Sequence, residues 1–316
     1  MRDSSVLSLF GVLTLLLTLA CGDDDVIPFD ASVMDGGSDA GPDAGPLTQP
    51  DGGPVPMMDS GAPDAATDGG PPPVDGGPTP PMRDTVSVLA GQSSTGFVDG
   101  TGVAARFSGP SGGAMAPDGS AIYIADTFNA ILRRIDLPSG EVTTVAGRLQ
   151  VQATTDGVGL DATFQSPRAM SATPDGTALY VADGPTLRRV DLDTLAVETI
   201  AGVAGMSGNE DGIGDEARLG FLIHSSVFSA DGATLYLSDR SNKTLRALDI
   251  ATAEVTTLAG ASYPGFDSVH VDGVGTEARF SGIGGLVRVD DALFTTDTFN
   301  ASIRRIDLNT TEVTTF

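Results

Sequence analysis

Two charged residues recur together through the second two-thirds of the chain, one carboxylate and one guanidinium in each copy of a repeated segment. The carboxylates are Asp126, Asp183, Asp239 and Asp297, and the guanidinium groups are those of Arg133, Arg188, Arg246 and Arg304. Arg133 shares a predicted strand face with Ile131 and Ile135, so it should be partly buried and needs a partner. Because every copy has both residues, we expect each Asp to pair with the Arg of its own copy in a structural role.

Positions at which the copies differ are better candidates for ligand binding. Just before the first strand of each copy we place four residues of different types: Ser111, Arg168, His224 and Ile283. Arg168 and His224 are therefore candidates for holding a shared anionic or hydrogen-bonding ligand, and the alternative is that both are exposed loop residues. His270 lies with Tyr263 and Phe266 in a long insertion that we interpret as a variable surface loop able to contact a partner.

The copies are defined by a closing motif that returns at a nearly constant interval. VTTVAG, VETIAG and VTTLAG end at Gly147, Gly202 and Gly260, and VSVLAG ends at Gly91, so the spacings are 56, 55 and 58 residues. A fixed period of this size indicates stacked supersecondary units. Each unit contains four short β-type runs separated by turn residues. The pattern predicts an all-β fold, a β-propeller over residues 85–316, with a parallel β-helix as the rival.

The residues of each unit resemble a known family. Ala-Asp-Thr at 125–127, Leu-Arg-Arg-Ile-Asp-Leu at 132–137 and Glu-Val-Thr-Thr-Val-Ala-Gly at 141–147 are similar to the NHL repeat. The lead-in at 99–107, which returns around 211–219 and 272–280, resembles that of one NHL subgroup. The resemblance implies an NHL-like propeller that binds a protein or another ligand, since few such propellers are enzymes. The second unit departs from the pattern, because no Asn follows Asp183 and Thr163 stands where the other units have Arg.

The number of closing strands predicts that these repeats belong to a larger ring. VSVLAG at 86–91 and EVTTF at 312–316 both read as closing strands, which gives five closing strands for four sets of the other three. We therefore expect four blades of a truncated propeller that has five or six in full. A closed four-bladed ring with one spare edge strand is the alternative.

The N-terminal part of the chain has a different composition. An apolar run from Val6 to Ala20 precedes Cys21, the sole cysteine, and resembles a bacterial lipoprotein signal peptide. Residues 1–20 are therefore a predicted signal peptide and Cys21 a predicted lipidation site, with an ordinary signal peptide as the alternative. Residues 22–84 contain 13 Asp, 13 Pro and 12 Gly, with Arg83 as their single basic residue. This composition predicts a disordered acidic linker over 21–84.

Charge and composition limit the function classes. A net charge of −25 with only 17 Lys and Arg residues argues against nucleic acid as a partner. With two His residues and one Cys, no metal site, cofactor or catalytic set is predicted. The sequence thus favours a lipid-anchored module of the outer membrane or cell surface that binds a protein or another extracytoplasmic ligand. The alternative is a metal-dependent hydrolase or lyase of the propeller type.

Overall fold

The computed structural model describes residues 86–262 and 269–316. Within these ranges the chain forms four antiparallel sheets of five strands each, with short 3-10 turns between some strands. The predicted signal peptide, the lipidation site Cys21, the linker up to residue 85, and the loop residues Tyr263 and Phe266 lie outside the described residues.

Each sheet is built from one repeat of the sequence. The first sheet consists of β1 Gly100–Thr101, β2 Pro110–Met115, β3 Ala121–Asp126, β4 Ile131–Asp136 and β5 Glu141–Ala146. The second consists of β6 Gly157–Val158, β7 Pro167–Ala172, β8 Ala178–Asp183, β9 Thr186–Asp191 and β10 Ala196–Gly202. The third consists of β11 Gly212–Ile213, β12 Ile223–Phe228, β13 Thr234–Asp239, β14 Thr244–Asp249 and β15 Glu254–Gly260. The fourth consists of β16 Gly273–Val274, β17 Ile283–Val289, β18 Ala292–Asp297, β19 Ser302–Asp307 and β20 Glu312–Thr315.

The strand order is the same in every sheet and includes one strand that the sequence did not predict. The four longer strands follow one another as a meander, and the two-residue strand pairs with the last of them at the opposite edge from the first. In the first sheet, for example, Gly100 lies opposite Val142. This short strand comes from the Asp-Gly lead-in, so each predicted four-stranded unit is a five-stranded one.

Consecutive sheets pack through their first long strands. β2 packs against β7, β7 against β12, and β12 against β17, and we call these four the inner strands. Among the described residues, β17 and β2 do not pack on each other in this way. Meander sheets arranged side by side through their first strands are the blades of a β-propeller, so the predicted all-β propeller fold with four blades is confirmed.

Apolar side chains fill the space between neighbouring blades. Phe164 of the second lead-in is fully buried against the first blade, and Phe280 is buried in the same way between the third and fourth blades. Tyr180 and Phe228 meet edge to face across the second junction, with ring centroids 5.5 Å apart. One polar contact also crosses this junction, because the hydroxyls of Ser171 and Ser226 lie 2.8 Å apart.

The prediction that VSVLAG at 86–91 forms a closing strand is wrong. These residues are not in a strand, and Val88 and Leu89 are exposed. Gly91 still donates its N–H to the Gly102 carbonyl at 3.0 Å, just as Gly147 donates to Gly159 in the next repeat. The motif therefore retains the backbone hydrogen bond that connects it to the following lead-in. It lacks a strand partner among the described residues, and a strand exists only where a neighbour accepts its hydrogen bonds.

Candidate functional site

Each blade contains a buried guanidinium held between two carboxylates. In the first blade the Arg133 side chain is fully buried, with Nη1 3.1 Å from Asp126 Oδ2 and Nη2 2.7 Å from Asp99 Oδ1. The same two nitrogens donate to the carbonyls of Arg106 and Val98 at 3.0 and 2.9 Å. The structure thus brings together the Asp and Arg that recur in the sequence, and it adds a second carboxylate from the lead-in.

The cluster is repeated with small differences in the other blades. Arg188 lies 3.3 Å from Asp183 and 2.9 Å from Asp156. Arg304 lies 3.1 Å from Asp297 and 2.7 Å from Asp272. In the third blade Arg246 lies 2.8 Å from Asp211 but 3.9 Å from Asp239, which is longer than a hydrogen bond.

The lead-in carboxylates join parts of the chain that are distant in sequence. Asp99 also accepts hydrogen bonds from the N–H and hydroxyl of Thr144 in β5, at 3.2 and 3.1 Å. Asp211 and Asp272 bind Thr257 and Thr315 in the same manner. These carboxylates were not predicted as partners of the arginines, although the recurring Asp-Gly of the lead-in was the signal that could have identified them.

The buried carboxylate of each cluster is saturated with donors. Asp126 accepts hydrogen bonds from the Ser108 N–H at 2.7 Å and from Asn129 Nδ2 at 2.9 Å, besides Arg133. Burial raises the pKa of Asp126, and the bonds from Asn129, Ser108 and Arg133 oppose that rise. In the second blade, which lacks the Asn, the Thr154 hydroxyl approaches the Asp183 carboxylate at 3.4 Å. These buried carboxylates are bonded to groups of their own blade, whereas Nε of each of the four arginines is buried without a partner in the described ranges.

Removing one fully buried guanidinium should destabilise the protein much more than removing its half-buried neighbour. Arg188→Leu leaves Asp183 buried and without its cation, which is expected to lower the free energy of unfolding by about 3–5 kcal/mol. Arg189→Leu is the matched control, because Arg189 is half-buried with Asp191 and such pairs contribute about 1 kcal/mol or less. Urea unfolding of both variants measures the difference, and equal losses would show that the cluster is not a structural requirement.

The positions that vary between blades lie at bulges in the inner strands. The pairing of each inner strand shifts after its first residue, and the shift falls at 110–113, 167–170, 223–225 and 283–286. A bulge leaves a residue unpaired and redirects its side chain, and bulges are common beside functional sites. We call this end of the inner strands the bulge end.

The structure corrects one of the four predicted equivalences. Pro110 pairs with Asp126 and Ile283 pairs with Asp297, so Ile283 corresponds to Pro110 rather than to Ser111. The residue equivalent to Ser111, Arg168 and His224 in the fourth blade is Gly284. All four lie inside the inner strands, whereas the sequence placed them just before the strands. The alternative of exposed loop residues is therefore wrong for Arg168 and His224.

His224 lies in a positively charged environment. Its Nδ1 is buried, and it has no hydrogen-bond partner within the described part of the chain. Burial, followed by the charges of Arg240 and Arg168, lowers the pKa of His224 to about 4. Arg240 follows the buried Asp239 and lies over the Phe299 ring of the next blade, 5.4 Å from its centroid. The imidazole is therefore neutral at pH 7. Two guanidinium groups are close enough for their charges to disfavour its protonation.

The two sequence-predicted ligand candidates are thus neighbours. Arg168 and His224 occupy equivalent positions on β7 and β12, which pack side by side. Arg168 Nε lies 3.4 Å from the Ser166 hydroxyl. Arg240 was not singled out in the sequence, because it stands in a turn where two other blades have Thr. Two guanidinium groups beside an imidazole can bind an anion.

His270 lies elsewhere, in the lead-in of the fourth blade. Its Nε2 is 2.6 Å from the Thr315 hydroxyl and 3.9 Å from Asp272. Within residues 86–262 and 269–316, no group of three His, Cys, Asp or Glu side chains is arranged to hold a metal ion. The same ranges contain no helix with the length and hydropathy needed to span a bilayer.

The low pKa of His224 predicts a dependence of stability on pH. The pKa is about 4 in the folded protein and about 6.5 in an unfolded chain, so the unfolded state binds the proton more readily between these values. The contribution of neutral His224 to the free energy of unfolding is fully present above pH 6.5 and is lost as the pH falls toward 4. NMR titration measures this pKa, which should rise in Arg240→Gln. A wild-type value near 6.5 would contradict the burial described here.

Comparison with known proteins supports the fold. No family model matches the chain. The chain is similar to Protein SUPPRESSOR OF QUENCHING 1, chloroplastic, of Arabidopsis thaliana, with 28% identity over 283 residues, covering 68% of this chain and 26% of that protein. NHL repeat-containing protein 2 of Bos taurus is 29% identical over 172 residues, covering 49% of this chain and 22% of that protein. The chain spans about a quarter of the length of these relatives.

A solved structure gives the same result. The auxiliary nutrient binding protein from Bacteroides ovatus superimposes with a TM-score of 0.50 and 20% sequence identity, covering 67% of this chain and 49% of that one. The fold is an NHL-like β-propeller. An Asp–Arg–Asp cluster is present in each NHL-like blade, and the bulge end is where the blades differ.

Proposed function

We propose that this NHL-like propeller is an extracytoplasmic binding module whose ligand site is the bulge end of the second and third inner strands. The observation that carries the proposal is the contrast between two sets of equivalent positions. The buried clusters are chemically alike in all four blades, whereas the four bulges carry Ser111, Arg168, His224 and Gly284. Positions at which the blades differ are not fixed by the geometry that all four blades share, so we take them as the candidates for recognition.

The local charge favours an anionic ligand. The protein has a net charge of −25, so its long-range field repels an anion. The favourable free energy of binding must therefore come from contacts within the site. Arg168 and Arg240 supply two positive charges close to His224. The neutral imidazole of His224 has one N–H to donate and lies among groups that are partly shielded from water. A carboxylate or phosphate on a protein or on another ligand matches this set.

The location of the module rests on the sequence of the N-terminal region. We propose that Cys21 is acylated after signal-peptide cleavage and that the acidic residues 21–84 hold the propeller away from the outer membrane or cell surface. The Bacteroides ovatus structure is of an auxiliary nutrient binding protein, which is consistent with a binding role for a related fold outside the cytoplasm.

Anion binding at the bulge end is tested with a simple polyanion. Tripolyphosphate titrated calorimetrically at pH 7 into the full-length Cys21→Ser protein should bind, and Arg168→Gln should weaken that binding about tenfold through loss of one charge-assisted hydrogen bond. The matched control is Arg148→Gln, which removes one exposed guanidinium from a loop after β5. If both variants lose the same tripolyphosphate affinity, the loss reflects the change in net charge alone, and the proposed site is rejected.

Lipid anchoring is tested separately. Metabolic labelling with a palmitate analogue should mark the wild-type protein and leave Cys21→Ser unlabelled, because the proposed lipid anchor depends on the thiol of Cys21. Fractionation of the labelled cells should place the protein with the outer membrane. Equal labelling of both proteins would reject the anchor and leave the binding proposal unaffected.

A further inference from the structure

A cavity of about 390 Å³ lies on the inner surface of the propeller, away from the bulge end. It is lined by the last residues of β2, β7 and β12 and by Arg288 near the end of β17. His224 and Phe228 are four residues apart on β12, which corresponds to about 13 Å along a strand. The cavity is therefore a different place from the cationic site at Arg168 and His224.

The walls of this cavity are largely apolar. Met115, Met170 and Phe228 face it from three different blades. The polar groups in the wall include the hydroxyls of Ser171 and Ser226, which lie 2.8 Å apart and bond to each other. Because these hydroxyls satisfy one another, the wall gives a ligand mainly apolar contact. A volume near 390 Å³ is within the range of small-molecule sites.

Arg288 is the single charged side chain among the described residues that line the cavity. Its Nη1 donates to the Asp290 carbonyl at 2.7 Å, which uses one of five guanidinium donors. The structure gives it no carboxylate partner within 4.0 Å in the described ranges. The charge of Arg288 contributes to lowering the pKa of Asp231, but hydrogen bonds from Ser229 and Ala233 are the larger causes. Asp231 is therefore bonded to its own turn.

We propose that this cavity binds a small amphipathic carboxylate, with its apolar body against the methionines and Phe228 and its carboxylate on Arg288. A single planar guanidinium matches a carboxylate through two parallel hydrogen bonds. The apolar wall excludes a ligand that is polar throughout, because burying such groups without partners is unfavourable. A ligand with a hydrocarbon chain of about eight carbons fits a cavity at the small end of the usual range.

The test compares two probes that differ in the head group alone. Octanoate and octanol are titrated calorimetrically into the full-length protein carrying Cys21→Ser, so that no detergent is needed. Octanoate should bind at least about tenfold more tightly than octanol, as expected for a charge-assisted contact. Arg288→Gln should abolish this difference while octanol binding remains. Arg134→Gln is the matched control, because Arg134 is half-exposed with Asp136 and does not line the cavity.

A second variant tests the apolar half of the site. Ala230 is exposed at the cavity rim, so Ala230→Trp should obstruct the cavity without disturbing the core, and it should weaken both probes. Arg168→Gln should leave octanoate binding unchanged, which separates this proposal from the anion site at the bulge end. Equal affinity for octanoate and octanol, no binding of either, or full octanoate affinity in Arg288→Gln would each overturn the proposal.

Discussion

Each blade buries one guanidinium whose charge must be neutralised and whose terminal nitrogens must find carboxylate or carbonyl partners, and this requirement shapes how the blade is assembled. Arg133 is on the third long strand, its buried partner Asp126 is on the second, and Asp99 is in the lead-in. Asp99 in turn binds Thr144 on the fourth long strand. Satisfying a single buried cation therefore fixes the relative positions of four segments, including the short fifth strand.

The same requirement explains why the inner strands are free to differ. The polar groups of each cluster lie on the outer three strands and the lead-in, and the inner strand contributes only the pairing of its first residue with the buried Asp. Beyond that residue each inner strand bulges, and the next position carries a different residue type in each blade. Arg168 and His224 stand at these positions, and the far ends of the same strands border the cavity that contains Arg288.

The sequence predicted the repeated parts of the structure well and the irregular parts poorly. Recurrence alone identified the strands, the propeller and the eight clustered Asp and Arg residues, because a periodic pattern reports what each unit shares. It missed the role of the lead-in carboxylates such as Asp99, since the recurring Asp-Gly marks them as shared residues but does not reveal a partner 34 residues away. It also placed a strand at 86–91, because strand propensity is present there without a pairing partner. The fourth-blade equivalence was misplaced by one residue, although its bulge at 283–286 matches those at 110–113 and 167–170 and Gly284 lies four residues after Phe280.

The third blade differs from the others both in its buried cluster and at its inner strand. Its cluster is the loosest, with Arg246 3.9 Å from Asp239, and Leu219 replaces the phenylalanine that lies against the guanidinium in the first, second and fourth blades. Arg246 Nη1 instead reaches the Asn209 side chain at 3.3 Å. The turn after Asp239 holds Arg240, and the inner strand holds His224. Arg246 thus exchanges part of its contact with Asp239 for one with Asn209, and the blade with this altered cluster is also the one that places Arg240 and His224 close together near the inner strand.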